Sequence, residues 1–588
     1  MRSADGRSVR LQIRPTHACV TLGRLASCLI IFLAVWAIGT QQISAQNASA
    51  QNPELDNQSN MVRGTVVNVV TRQPVGRALV YSLDNRYATF TDGEGHFEFT
   101  LPKAAADNGG VTFSGNSGSL TWLTARRPGF LEDLSGNRPV EVSAGTEVTI
   151  ALMPEALIKG RVTLPAADPA PGISVELFSR QVQDGTPRWM QKSSTRTNSN
   201  GEFRFAELEP GSYKLLTREW MDIDPEGTVP GGQRYGFPPV YYPSASDFAT
   251  ASTIQLTAGQ SFEADMSLVR QPYYRVTIPV TNTERNHGVS VTVSSQGDRG
   301  PGYSLGYNGS RHLIEGQLPN GKYLVEAASF DPNFSASGSV NLMVAGAPAE
   351  GPMMVLARNS SIPVNVKEEF TSPAGNIQAF FSTGGRTVQM HGPRVDVNIN
   401  AEAIDDFKGR RSGTLRPPTG TNEDPLILEN LAPGSYWLRL AASRGYVASA
   451  SMGGTDLLRE PMVVLPGAST PIEITMRDDT AELEGSLLGV AVTPVNASRP
   501  GTQSFLYCIP MPDTSGRLLE LSVSSDGKFD VQGVAPGVYR VIAFNRQQRD
   551  IPYRDPEAMK AYESKGQVVH FAPGQKVTLQ LQVVPGNE

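Results

Sequence analysis

Short runs of alternating apolar and polar residues, bounded by turn residues, recur along the whole chain. Residues 198–215 read NSNGEFRFAELEPGSYKL. The alternation places Phe203 and Phe205 on one face of a predicted strand. Asn200-Gly201 before this strand can supply the positive φ angles of a tight hairpin turn, and Pro210-Gly211 after it reverses the chain. The pattern therefore predicts strands paired as hairpins, each burying one apolar face.

The same pattern returns at 524–541 as SSDGKFDVQGVAPGVYRV. Weaker or partial copies lie at 91–102, 313–327 and 426–440. The glycine of the second turn is Gly211, Gly321, Gly434 or Gly537, so successive copies are 110, 113 and 103 residues apart. This spacing is that of one β-sandwich domain and is too long for a short solenoid repeat.

Three units also open alike, with a glycine inside β-rich sequence: MVRGTVV from Met61, ALIKGRV from Ala156 and AELEGSL from Ala481. Strand-like segments such as GQKVTLQLQVV at 574–584 close the units. These signals predict an all-β chain of about five sandwiches. The predicted ranges, used below as the first to fifth sandwich, are 61–154, 155–270, 271–356, 357–478 and 479–588.

Helix is nearly absent from the pattern. The clearest candidate is DPEAMKAYESKG at 555–566, with Asp555 as N-cap, Pro556 at the first helical position and Gly566 as the stop. We expect a short surface insertion in the fifth sandwich.

Composition agrees with a chain rich in turns. Gly 57 and Pro 43 make up 100 of the 588 residues, above the usual share of roughly 12%, and 39% of the residues are hydrophobic. Five arginines and the apolar run LASCLIIFLAVWAI at 25–38 predict a signal peptide over 1–45, or an uncleaved anchor. Small residues allow cleavage after Ala50, or earlier at Ser44-Ala45. Residues 46–60 are polar and are predicted to form a flexible tether.

The net charge limits the kinds of partner that the chain can bind, and the cysteine content limits its disulfide bonds. The formal net charge is −6, and removing residues 1–45, with five Arg and one Asp, leaves −10. An acidic exported chain argues against nucleic acid or an anionic membrane surface as the partner. Cys508 is the only cysteine after the leader, so no intrachain disulfide is expected, and it is predicted to be a buried strand residue.

The G-x-V opening, the N/D-G turn before F-x-F and the L-x-P-G-x-Y-x-L segment together resemble the carboxypeptidase regulatory-like domain. The resemblance implies small transthyretin-like or immunoglobulin-like sandwiches in tandem. In the parent metallocarboxypeptidases this domain lies beside the catalytic domain and takes no part in the chemistry. Related sandwiches in exported bacterial proteins form stalks, transporter extensions and starch-binding-like modules. The resemblance therefore implies a non-catalytic secreted array, with carbohydrate binding as one specialisation.

Catalytic and metal signatures are weak. His312 and Glu315 have the spacing of a zinc peptidase motif, but they fall in a predicted strand, where positions three apart face opposite sides. We therefore treat them as ordinary strand residues and predict no enzyme activity and no cofactor. The turn TDGEG offers Asp92 and Glu94 as oxygen ligands for calcium, with a plain turn as the alternative.

The best binding candidate is an aromatic loop in the second sandwich. It carries Trp220, Tyr235, Tyr241 and Tyr242 among Pro and Gly residues. Exposed aromatic faces bind sugar rings, whereas the alternative is that these rings fold back and seal the end of the sandwich. Burial of Trp220 and Tyr241 would favour sealing, and exposed coplanar rings would favour sugar binding.

The sequence thus predicts a non-enzymatic structural or adhesion-type spacer, located in the periplasm, on the cell surface or outside the cell, whose loops contact a polysaccharide or a surface protein. Several domains in series add weak contacts by multivalency. The first alternative is a carbohydrate-binding protein acting through the loop of the second sandwich, and a remote alternative is a secreted metallopeptidase. The sequence does not name the ligand.

Overall fold

The computed structural model describes residues 61–586 with internal gaps. The gaps are 101–120, 133–138, 143–146, 223–231, 282–287, 296–299, 330–334, 373–378, 384–385, 391, 406, 408–411, 419–424, 490–503, 513, 515, 524–525 and 549. The predicted signal peptide, residues 1–45, and the predicted tether, residues 46–60, lie outside the described residues.

Strands dominate the described chain, which confirms the all-β prediction. In the first sandwich they form a three-stranded sheet, β4-β1-β7, and a four-stranded sheet, β3-β2-β5-β6. The strands are β1 Met61–Asn68, β2 Leu79–Ser82, β3 Ala88–Phe90, β4 His96–Thr100, β5 Thr121–Arg126, β6 Val140–Val142 and β7 Glu147–Leu152. Valines and leucines from both sheets fill one apolar core.

The second sandwich pairs the sheet β11-β8-β16, with β17 also beside β8, with the sheet β10-β9-β12-β15. The strands are β8 Ala156–Thr163, β9 Ser174–Gln183, β10 Thr186–Arg196, β11 Glu202–Leu208, β12 Gly211–Thr217, β13 Trp220–Met221, β14 Arg234–Phe237, β15 Ile254–Leu256, β16 Ser261–Glu263 and β17 Met266–Ser267. A 3-10 turn spans Pro165–Ala167.

β13 and β14 lie in the range predicted for the second sandwich, but they join a sheet of the third sandwich, because β14 pairs with β18. That sheet runs β13-β14-β18-β21-β20, with β24 and β25 also along β18, and the second sheet runs β19-β22-β23-β26. The strands are β18 Gln271–Thr281, β19 Val289–Ser295, β20 Gly306–Asn308, β21 Leu313–Pro319, β22 Gly321–Ser329, β23 Ala336–Val344, β24 Ala349–Glu350, β25 Met354–Val355 and β26 Ala357–Arg358.

In the fourth sandwich the strands are hydrogen-bonded in one continuous order of nine, β35-β34-β37-β27-β32-β31-β30-β33-β36, and β28 and β29 form a separate pair. The elements are β27 Ser360–Glu369, β28 Ala379–Thr383, β29 Arg386–Met390, helix α1 Pro393–Asp396, β30 Val397–Ala403, β31 Ser412–Leu415, β32 Leu426–Leu431, β33 Gly434–Ala442, β34 Tyr446–Met452, β35 Thr455–Asp456, β36 Met462–Val464 and β37 Ile472–Arg477.

The fifth sandwich runs β40-β39-β42-β44-β38-β41, with β43 also beside β42. The elements are β38 Ala481–Leu488, β39 Ser504–Pro510, β40 Leu519–Val523, β41 Lys528–Val534, β42 Gly537–Phe544, helix α2 Pro556–Met559, a 3-10 turn Lys560–Tyr562, β43 Gln567–Phe571 and β44 Lys576–Val584. Asp555 caps α2 by accepting hydrogen bonds from the backbone N–H groups of Glu557 and Ala558, each at 3.1 Å. The predicted helix start is therefore right, although the helix is only one turn long.

One strand arrangement recurs in every predicted sandwich. The opening strand lies between an antiparallel neighbour and the closing strand, to which it is parallel. The sets are β1 with β4 and β7, β8 with β11 and β16–β17, β18 with β21 and β24–β25, β27 with β32 and β37, and β38 with β41 and β44. The sequence repeat is therefore a repeat of topology, while the exact domain boundaries stay predictions.

The glycine of the opening strand has a packing role. Gly160 pairs directly with Phe203, and a Cβ at Gly160 would lie 2.9 Å from the Phe203 ring and would also collide with the backbone of Ala264. Gly64 and Gly485 make the equivalent contacts with the rings of Phe97 and Phe529. The first phenylalanine of the F-x-F pattern thus packs over a glycine, where no Cβ blocks its ring. This contact explains why the glycine of the opening strand and the F-x-F pattern occur together in the sequence.

The predicted hairpins are wrong. β11 pairs with β8, whereas β10 and β12 belong to the opposite sheet, so both Asn200-Gly201 and Pro210-Gly211 carry the chain from one sheet to the other. The apolar residues of these strands still meet, because two facing sheets share one core, in which Phe203, Tyr213 and Leu215 pack together. Alternation indicates which face is buried but not which strand is the partner.

The second sandwich also contacts sandwiches that are distant in sequence. Arg188 Nη1 donates a hydrogen bond to the Ala403 carbonyl of the fourth sandwich at 2.9 Å. The Tyr553 hydroxyl of the fifth sandwich donates to Asp184 Oδ1 at 2.6 Å. Separation along the chain is therefore not separation in space, and the second, fourth and fifth sandwiches meet.

Cys508 lies on β39 and is 2% exposed, as expected for a strand residue, and burial raises the pKa of its thiol to about 12. Within the part of the chain that the structure describes, no helix is long and apolar enough to cross a membrane.

Candidate functional site

The aromatic loop of the second sandwich does not present one exposed aromatic surface. Tyr241 is 3% exposed, and its hydroxyl donates a 2.7 Å hydrogen bond to the Pro301 carbonyl of the third sandwich. Its ring also meets Phe248 edge to face, with centroids 6.1 Å apart. Tyr241 therefore joins two sandwiches.

The other three predicted residues are half-buried. Trp220 stacks on Phe237 with ring centroids 5.6 Å apart, and Tyr242 meets Phe262 edge to face at 6.1 Å. The Arg270 guanidinium lies 4.1 Å from the ring centroid of Tyr235. These placements favour the sealing interpretation, most clearly for Tyr241. Ligand binding by these residues stays a prediction.

The calcium candidates Asp92 and Glu94 lie in a turn whose backbone N–H groups are bound by the Asp92 carboxylate. Asp92 Oδ1 accepts hydrogen bonds from the backbone N–H groups of Glu94 at 2.9 Å and His96 at 2.8 Å. The Glu94 side chain points to solvent and is 86% exposed. This geometry is that of the plain turn, and calcium binding stays a prediction.

The residues with zinc-motif spacing have other partners. Glu315 accepts hydrogen bonds from Asn308 at 2.8 Å and Arg311 at 3.2 Å. His312 precedes β21, and its ring lies 3.3 Å from the Tyr307 hydroxyl. Among the described residues, no group of three or more His, Cys, Asp or Glu side chains could hold a metal ion.

A cavity of about 620 Å³ lies where the second, fourth and fifth sandwiches meet. Asp184 and Thr186 line it from the second sandwich, while β33 and β34 contribute from the fourth and residues 510–512 and 516–517 from the fifth. Sequence reasoning missed this cavity because its walls are separated by hundreds of residues. No local pattern brings them together.

Arginines outnumber carboxylates in the cavity wall. The arginines are Arg439, Arg459, Arg517, Arg540 and Arg554, and the carboxylates are Asp184 and Glu563. Arg554 pairs with Asp184 at 3.2 Å, Arg459 pairs with Asp456 at 3.6 Å, and the fourth sandwich's Glu402 is shared by Arg439 at 2.6 Å and Arg188 at 3.9 Å. Of the five arginines, Arg517 and Arg540 have no ion-pair partner among the described residues.

Tyr539 lies in this wall and is 0% exposed. In three other sandwiches the equivalent hydroxyl donates to the backbone carbonyl four residues earlier: Tyr213 to Glu209 at 2.8 Å, Tyr323 to Pro319 at 2.9 Å and Tyr436 to Ala432 at 2.7 Å. The hydroxyl of Tyr539 has no hydrogen-bond partner among the described residues. Burial raises the pKa of Tyr539 above its usual range.

Residues 157–219 match the carboxypeptidase regulatory-like domain. The match covers β8 to β12 of the second sandwich, including the glycine of the opening strand and both sheet-crossing turns. The recognition of this domain type is therefore confirmed for that segment. No curated protein matches this sequence.

Solved structures with weak similarity include two pilins. The Bacillus anthracis TIE protein is 8% identical, with 86% of this chain and 65% of that chain covered and a TM-score of 0.14. A streptococcal ancillary pilin is 12% identical, with 50% and 98% covered and a TM-score of 0.17. The major pilin subunit BcpA of Bacillus cereus is 10% identical, with 74% and 100% covered and a TM-score of 0.13. At these scores the similarity does not bear on function.

Proposed function

We propose that this chain is an exported, non-enzymatic scaffold of structural or adhesion type, whose β-sandwiches present loops for binding. The observation that carries the proposal is the repetition of one strand topology in all five predicted sandwiches. The repeated part is the packing core, and the loops that connect its strands are where binding residues are commonly found.

Contacts between sandwiches support a scaffold in which the domains are held in place. Phe407 of the fourth sandwich lies against Phe178 and Phe248 of the second, with ring centroids 5.9 Å and 4.7 Å apart. Together with the Arg188 hydrogen bond to Ala403, these rings fix the second sandwich to the fourth. Loops on such a body keep fixed separations, so several weak contacts add without a large ordering cost.

The test is a panel of glycans, polysaccharides and cell-surface protein fragments, followed by two readouts on the same samples. Tryptophan fluorescence reports binding, and mass spectrometry reports any product. We expect unchanged substrates throughout, with or without binding. Turnover that survives repurification and is lost on chelation would refute the non-enzymatic proposal and favour the metallopeptidase alternative.

A second candidate function is carbohydrate binding through the aromatic loop. It would rest on Trp220 and Tyr242, because their half-buried rings keep some surface accessible to a ligand even though they pack against Phe237 and Phe262. The Trp220→Ala, Tyr242→Ala variant should lose saturable glycan binding while keeping its fold. Trp122→Ala is the matched control, because Trp122 is 48% exposed in the first sandwich.

A further inference from the structure

The cavity between the second, fourth and fifth sandwiches has the features of a small-molecule site. Its volume of about 620 Å³ lies within the usual range of roughly 300 to 1,000 Å³ for such sites, which are often found between domains. Three sandwiches that are distant in sequence contribute residues to its wall.

Flat apolar faces form part of the wall. Trp437, Tyr446 and Tyr553 are half-buried in it, with Leu458 and Met511 beside them. Among the described residues that line the cavity there is no Asn, Gln or Ser side chain. The hydroxyl of Thr514 is already engaged by the backbone of Val538, at 2.7 Å and 2.8 Å. The apolar side chains of this wall give a ligand ring a surface to pack against.

The charges in the wall favour an anion. Arg540 Nη1 donates to the backbone carbonyls of Glu563 at 2.6 Å and Lys565 at 3.3 Å, and Arg540 makes no ion pair with a described carboxylate. Arg517 is exposed and likewise has no ion-pair partner among the described residues. Guanidinium groups bind carboxylates with two parallel hydrogen bonds. This concentration of positive charge occurs on a chain whose net charge is −6.

We propose that this cavity binds a small organic anion that carries an apolar ring, such as an aromatic carboxylate. The ring packs beside Trp437 and Tyr553, whose ring centroids lie 5.6 Å and 5.7 Å from the Arg554 guanidinium, and the carboxylate is held by Arg517 and Arg540. This site lies apart from the aromatic loop of the second sandwich. The proposal goes beyond the scaffold role and does not depend on it.

The test is isothermal titration calorimetry of the purified protein with benzoate, phenylacetate and naphthoate. Each anion is compared with its neutral alcohol, namely benzyl alcohol, phenylethanol and naphthalenemethanol. We expect at least one anion to bind saturably, more tightly than its alcohol, and more weakly as salt is raised. Failure of all three anions to bind saturably, or equal affinity for anion and alcohol, would overturn the proposal.

Variants locate the site. Arg517→Glu should weaken anion binding by at least about tenfold because it replaces an attractive charge with a repulsive one, while affinity for the alcohol stays the same. The matched control is Arg275→Glu, since Arg275 is exposed on β18 of the third sandwich. Both variants change surface residues, and circular dichroism checks that they fold. An unchanged anion affinity in Arg517→Glu, or an equal loss in Arg275→Glu, would contradict the assignment.

Discussion

Two equivalent tyrosines should respond in opposite ways to loss of the hydroxyl group. Tyr436→Phe removes the 2.7 Å hydrogen bond to Ala432 and leaves a buried carbonyl without this donor. The expected cost is about 1 to 2 kcal/mol, or roughly a fivefold to thirtyfold change in the opening equilibrium. Tyr539→Phe removes a buried hydroxyl that has no described partner, so it should leave stability unchanged or raise it.

Hydrogen exchange read by mass spectrometry is the suitable assay, because a chain of several sandwiches does not unfold in one step. Exchange on β33 should accelerate in Tyr436→Phe, whereas exchange on β42 should stay the same or slow in Tyr539→Phe. Tyr323→Phe serves as a further copy of the first case, since its hydroxyl bonds to Pro319 at 2.9 Å. Equal acceleration in the Tyr436 and Tyr539 variants would refute the reasoning, because the ring is retained in both.

Three further outcomes are expected. Gly160→Ala should destabilise the second sandwich by about 1 to 3 kcal/mol because its Cβ meets the Phe203 ring and the Ala264 backbone, whereas Gly288→Ala, with open space around its Cβ, should change denaturant midpoints little. Burial raises the pKa of Glu219 from 4.5 to about 7, so the folded state holds this proton more tightly than the unfolded state. Stability relative to Glu219→Gln should therefore fall by up to about 3 kcal/mol as pH rises from 4.5 through 7, and hydrogen exchange on β12 that shows no such pH-dependent difference between the two proteins would contradict it. Tyr553→Phe removes the hydrogen bond to Asp184 and should speed exchange at the contact between the second and fifth sandwiches, with no change on β18.

Much of the fold could be predicted because its signals are local. The alternation in F-x-F marks a strand with one buried face, and the glycine of the opening strand pairs with the first phenylalanine, so both appear in the sequence at a fixed spacing. In the third sandwich the glycine has moved to the partner strand, where Gly316 faces Val276. With the glycine on β21, the strand topology is kept but the opening strand loses its glycine. This change explains why the sequence pattern is weak in the third sandwich.

Strand partners and the cavity could not be predicted in the same way. A turn such as Asn200-Gly201 has the same local geometry whether the chain returns to its own sheet or crosses to the facing one, so the choice depends on distant strands. The cavity requires Trp437, Arg540 and Asp184 to meet, and only the packing of three sandwiches brings them together. The aromatic loop stands out in the sequence as a binding candidate, but its sequence does not show that Tyr241 reaches Pro301.

The parallel pairing of opening and closing strands determines how each sandwich would bear mechanical load. Parallel neighbours begin at the same end, so the chain enters a sandwich at one end and leaves it at the other. A pull on the two termini then shears all the hydrogen bonds between these strands together and does not unzip them one by one. β38 and β44 are paired over seven residue positions, from Glu482 to Leu488, whereas β8 meets its closing strands over three positions in β16 and two in β17. Under tension the fifth sandwich should therefore outlast the second.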